Sequence, residues 1–129
     1  MNHDMLELSS SARSLWGKLS LTGAHLWLPL WMHLADTAEM ADLLWSNWLP
    51  PHTKEQIVQG IDLPGSATLA ERENLARKIV RFLAAAHDCG KASPGFVMKA
   101  EKVGFGDIVD EITSKGLSVE VQNQVLAKR

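Results

Sequence analysis

The sequence predicts an all-α fold, and three observations carry that reading. Apolar side chains recur every three to four residues over two long stretches. Helix start and stop signals bracket those stretches, and no segment shows sustained strand alternation. The first stretch, residues 28–48, sets Leu30, Leu34, Ala38, Ala41, Trp45 and Trp48 on one face. Pro29 suits a first helical turn and Pro50-Pro51 enforces the stop. Thr53 with Gln56 reads as a capping box opening a short helix that ends by Gly60, and residues 62–66 form a loop. The second long helix runs from about residue 68 to 89. Thr68 and Glu71 make its capping box, Leu75, Ile79, Phe82, Leu83 and Ala86 its buried stripe, and Gly90 its C′ residue. Ser93 and Pro94 then open a helix carrying Phe96, Val97 and Ala100. Weaker helical segments follow near 107–115 and 118–128, and the best β-like fragment is Leu117 to Val121.

Length and composition bound the function. The 129 residues suffice for one domain with a real core. Apolar residues at 46% and charged residues at 22% fit an ordinary soluble globular chain. No apolar run approaches the ~18 residues that span a bilayer, and Met1-Asn2-His3-Asp4 lacks a signal-peptide pattern, so a cytoplasmic protein without membrane association is expected. One cysteine, Cys89, excludes an intrachain disulfide; it follows an apolar run and is expected to be a buried, inert thiol. A net charge of −2 gives no global argument for nucleic-acid binding. Residues 71–102, however, carry seven Lys/Arg against four Asp/Glu, which reads as a solvated helix face or a phosphate-binding surface.

The chemistry concentrates at His87-Asp88. The pair closes the apolar run Ile79–Ala86 and is followed by Cys89-Gly90-Lys91. An imidazole and a carboxylate at a helix C-terminus favour a cation twice, as donors and through the negative end of the helix dipole. Adjacent helical residues point about 100° apart, so both reach one ion only near the helix end. A third donor must come from another helix, and His33 is the best candidate, with Asp36 one turn on to orient it. Taken singly, His33 also reads as a satisfied interior histidine. Lys91 is placed to bind a phosphate or protonate a leaving oxygen; it equally complements the helix dipole. His3, His25 and His52 read as terminal, surface or structural groups. The five tryptophans, three of them on the first long helix, read as core rather than as a base-stacking surface. No Ser or Cys stands with a His in a recognisable nucleophilic arrangement.

The run Ala84-Ala85-Ala86-His87-Asp88-Cys89-Gly90-Lys91-Ala92-Ser93-Pro94-Gly95-Phe96 resembles the HD motif of metal-dependent phosphohydrolases. It is more similar to the form HD-x-GK-x-x-x-x-F of the HD nuclease domain in the CRISPR-associated helicase-nuclease of type I systems. Leu15-Trp16-Gly17-Lys18 resembles that family's WGKS element, with Leu19 where Ser is common. Leu28–Ala38 resembles its H-x-x-D helix, and Trp45–Gln56 looks like the type I-E branch. The similarity covers roughly residues 12–103.

The resemblance implies an HD-domain helical bundle in which His33, His87 and Asp88 are metal ligands, Asp88 bridges two ions, and Asp88 and Lys91 serve catalysis. It implies two divalent transition-metal ions, manganese, iron, cobalt or nickel. The implied activity is metal-dependent endonucleolytic cutting of single-stranded DNA in CRISPR interference. The implied partners are the crRNA-guided Cascade complex and a helicase domain of the parent chain. No histidine follows His87, so the family's downstream histidine and aspartate ligands are missing. Residues 1–129 are therefore expected to be the N-terminal part of a truncated HD nuclease domain, holding one metal weakly and impaired as an enzyme. The alternatives are an HD-type nucleotide phosphohydrolase and a non-catalytic helical module that binds DNA or protein. The GKASPGF ending and the Trp-rich helix argue against the former; the missing ligands favour the latter.

Overall fold

The computed structural model describes residues 7–62 and 64–120, which fall into two compact units. One takes the described residues up to His33 and from Cys89 onward; the other takes Leu34–Asp88. The described chain is mostly helical, as expected, with a small antiparallel ribbon added.

In the first unit, α1 (Ser10–Ser14) leads into β1 (Trp16–Leu19), which pairs with β2 (Trp27–Pro29). The loop between them closes through the Ser20 N–H donating to the Leu26 carbonyl at 2.8 Å. Strands of four and three residues are too short to display an alternation, which is why the ribbon was not foreseen in the sequence. A single 3₁₀ turn, Cys89–Ala92, is followed by α5 (Pro94–Val97), α6 (Lys99–Lys102) and α7 (Gly106–Ser114). Ser93 and Pro94 do open α5, but Met98 divides the expected helix in two. The core joins Trp16, Val97, Ala100, Phe105, Ile108, Val109 and Ile112. Helix α7 ends in a double-bonded cap: Gly116 donates to the Thr113 carbonyl and Leu117 to that of Ile112. Its φ of +88° is why glycine stands at 116, and the cap folds Leu117 back onto the core.

The second unit is built on α2 (Leu30–Asn47) from Leu34 onward, α3 (Pro51–Gln59) and α4 (Leu69–Ala86), with Trp45, Val58 and Ala76 buried at its centre. The α2 stripe is largely as read, with Leu30, Ala38 and Trp45 buried, but Trp48 is 74% exposed. Pro50 rather than Thr53 caps α3, because proline at the first helical position needs no N–H and places Thr53 inside the first turn. The Thr68–Glu71 capping box on α4 is present in both directions. The buried row of α4 differs from the expected one: Ala76 and Val80 face Trp45, while Phe82 and Leu83 are exposed. Alanine at 76 leaves room for the indole of Trp45, and that fit turns the next apolar pair outward. The C-terminus of α4 also departs from expectation. His87, in helical conformation, is the C-cap, and the chain enters the 3₁₀ turn without a left-handed glycine at 90.

Helices α2 and α4 are tied by charge. Arg77 forms a two-pronged pair with Asp42, both distances 2.6 Å, and Arg81 pairs with Glu39. Hydrogen bonding from Arg77, and then the charges of Arg77 and Arg81, hold the Asp42 carboxyl below its ordinary range. Cys89 is exposed, which corrects the expectation of a buried thiol: the apolar run before it ends with the helix, leaving Cys89 in a surface turn. The expected segment 118–128 and His3 lie outside the described residues, save for 118–120, which are not helical. No described helix is long and apolar enough to cross a membrane.

Two outcomes test this packing. Ile112 is fully buried, so Ile112→Ala should destabilise the chain by about 2–5 kcal/mol, read as a lower urea midpoint. A carboxyl whose folded pKa is lowered stabilises above its unfolded pKa and loses that contribution as pH falls through the folded value. The Tm difference between wild type and Asp42→Asn should therefore be constant from pH 7 to about 5 and shrink below about pH 4.

Candidate metal centre

His33 stands in the first turn of α2 and is 9% exposed. The division between the units falls directly after it, inside an unbroken helix. Helix α4 ends at Ala86, with His87 as its C-cap and Asp88 next in sequence. One donor atom from each of His33, His87 and Asp88 lies within 4.8 Å of the others. Donors about 2.1 Å from one ion in a tetrahedral arrangement lie about 3.4 Å apart, so the three would have to draw closer together to hold one cation.

The end of α4 prepares His87 as a donor. Its Nδ1 lies 2.7 Å from the Ala84 carbonyl, an acceptor that the helix end leaves available. Nδ1 must carry the proton to make that bond, which leaves Nε2 as the lone-pair nitrogen of the neutral ring. Nε2 in turn lies 3.1 Å from Oδ2 of Asp88. Two lone-pair-bearing atoms at that distance repel unless a positive charge sits between or beside them. A cation shared with Asp88 would supply it, at the negative end of the α4 dipole. Two imidazoles and one carboxylate are a donor set that fits first-row transition metals better than magnesium or calcium, whose preferred ligands are oxygen. His33 is buried and Asp88 partly exposed, whereas the His87 side chain is 45% exposed.

Lys91 lies on the 3₁₀ turn, and its Nζ donates to the Gly17 carbonyl at 3.2 Å. It also stands 5.6 Å from the centre of the Phe96 ring, which Lys99 approaches to 5.0 Å. Asp36 is exposed, one turn beyond His33. His25 and His52 are on the surface as read. His25 bonds Asp107 at 3.1 Å and stacks on Phe105 with ring centres 4.0 Å apart, a contact that pins the ribbon loop to the start of α7. Sequence reasoning missed that pair; it quoted Gly17 within the WGKS-like element but gave it no place beside His33.

A mostly helical chain with two histidines and an aspartate drawn together at a helix end defines an HD-type helical domain. The family model described as "Cas3, HD domain" matches residues 16–126, and the chain belongs to that family. Over 85 residues, 66% of its length, the chain is 40% identical to the CRISPR-associated nuclease/helicase Cas3 of Streptococcus thermophilus. The matched segment spans 8% of that relative. No solved structure matches the chain.

If the three donors share a cation, metal and stability are linked. Cobalt(II) at a hundredfold excess over its Kd should stabilise the folded chain by about 2.7 kcal/mol, seen as a raised Tm. The shift should be absent in Asp88→Ala, and a Tm unresponsive to metal in the wild type would count against the centre.

Proposed function

We propose that this chain is the metal-dependent endonuclease module of a Cas3-type protein, cutting single-stranded DNA during CRISPR interference. The observation that carries the reading is the end of α4: Nδ1 of His87 is committed to the Ala84 carbonyl while Nε2 faces the Asp88 carboxylate at 3.1 Å. Membership of the Cas3 HD-domain family supports it. In this reading His33, His87 and Asp88 would hold a divalent transition metal such as manganese, iron, cobalt or nickel.

The bound metals would supply Lewis acidity toward the phosphate and a hydroxide nucleophile at neutral pH. The chain's own residues orient that chemistry. The Ala84 carbonyl fixes the tautomer and rotation of His87. Burial holds His33 in one place, and the partial exposure of His87 and Asp88 leaves room for a polymer to approach. Lys91 donates to the Gly17 carbonyl, and in this reading its ammonium, which has three donor hydrogens, would assist at the phosphate. Residues 1–129 are read as the N-terminal part of the nuclease domain, working in the cytoplasm with a helicase region of the same polypeptide and the crRNA-guided Cascade complex.

A second reading is favoured by one observation. Among the described residues, one group of three histidine and acidic donors comes together, fewer than a two-ion centre uses. A non-catalytic module that binds DNA or a protein partner would need no more. Incubation with single-stranded DNA and a nucleotide panel, with manganese, cobalt or nickel, separates the readings. Nicking that needs metal and falls at least 100-fold in Asp88→Ala is expected. Phosphate release from nucleotides would instead point to an HD phosphohydrolase, and DNA binding without cutting to the non-catalytic module.

A further inference from the structure

Gly17 is buried, and its missing side chain is a requirement of space. Its φ is not positive, so the backbone itself would accept another residue. Trp16 pairs with Pro29 and Lys18 with Leu28, which leaves Gly17 as the extra, bulged residue of β1. A Cβ at this position would lie 3.0 Å from Cβ of His33 and 3.1 Å from Cα of Leu30. Carbon atoms in good contact are about 3.5–4.0 Å apart. Neither opposing atom is the loose end of a side chain. One is backbone, and the other is the root of the imidazole.

The strand has little freedom to retreat. The Leu30 N–H, at the start of α2, donates to the Leu15 carbonyl at 2.7 Å. Trp16 is held by its Nε1–H donating to the Val97 carbonyl at 3.2 Å and by a stack on Phe96 at 4.3 Å. The Gly17 carbonyl accepts from Lys91. Four consecutive tethers thus press a side-chain-free backbone against the turn that bears His33.

We propose that Gly17, anchored through its carbonyl by Lys91, is a positioning residue for His33, setting where the imidazole starts and so where its donor nitrogen lies. The inference rests on the reading of His33 as a metal ligand. A methyl group at position 17 would shift the first turn of α2 by a few tenths of an ångström and misplace one donor of three. Loss of an outer partner of a metal-bound histidine weakens metal binding 10- to 100-fold.

The test uses the 129-residue chain labelled with ¹⁵N-histidine, without metal and then titrated with cobalt(II). Gly17→Ala should shift the His33 imidazole resonances, leave those of His52 in place, and weaken cobalt binding about tenfold with helical circular dichroism intact. Gly95→Ala, where nothing lies within 4 Å of the added methyl, is the control and should change neither readout. Unchanged His33 resonances in a folded Gly17→Ala overturn the proposal. Should that variant fail to fold, Lys91→Met removes the anchor without adding bulk: it should shift His33 and Lys91→Arg should restore it, and an unmoved His33 in Lys91→Met overturns the idea equally. A wild type that binds no cobalt defeats the metal reading, while the metal-free spectra still decide whether Gly17 positions His33.

Discussion

Trp16 is the point from which the first unit is organised. Its ring stacks on Phe96, its indole N–H satisfies the Val97 carbonyl, and its backbone pairs with Pro29 just before α2 begins. One buried side chain therefore joins the ribbon, the segment that follows the His-Asp pair and the approach to His33. An indole suits this task because it brings a large apolar face and a single donor, and here both are used. The neighbours of Trp16 inherit their positions: Leu15 meets the first N–H of α2, and Gly17 meets its first turn. The order Leu15-Trp16-Gly17-Lys18 is thus a short rigid connector, whose apolar member sets the depth of the strand and whose glycine sets its distance from a helix.

The parts of the structure legible in the sequence are those whose cause is local. Thr68 and Glu71 sit three residues apart and bond each other, so the start of α4 needed nothing beyond its own sequence. Leu30, Ala38 and Trp45 follow a helical period and are buried accordingly. What the sequence left obscure depends on which surfaces meet. The side of α4 that packs is chosen by the fit of Trp45 against Ala76, so Phe82 and Leu83 appear outside although their period matched. The ribbon was invisible because its strands are held by pairing across a seven-residue loop rather than by an alternating pattern. At the centre, His33, His87 and Asp88 were chosen for their chemistry and for a family resemblance, and they do come within reach of one another across 54 positions of sequence. The commitment of Nδ1 to Ala84 could not be read in advance, since it depends on how α4 ends.

That ending shows how a helix terminus can do two jobs with one set of atoms. The last carbonyls of α4 lack helical partners, and one of them accepts a hydrogen bond from Nδ1–H of His87. The ring is thereby oriented at no cost in additional residues, and its other nitrogen is turned to Asp88. The negative end of the helix dipole lies at the same place, so geometry and field both select for positive charge.

Cys89, exposed and next in sequence to Asp88, gives the chain a property of another kind. It is the one thiol in 129 residues, so alkylation or disulfide chemistry is confined to a single address. A spin label, fluorophore or bulky maleimide attached there sits one peptide bond from the carboxylate. The position is a ready-made handle for watching, or obstructing, whatever approaches the end of α4.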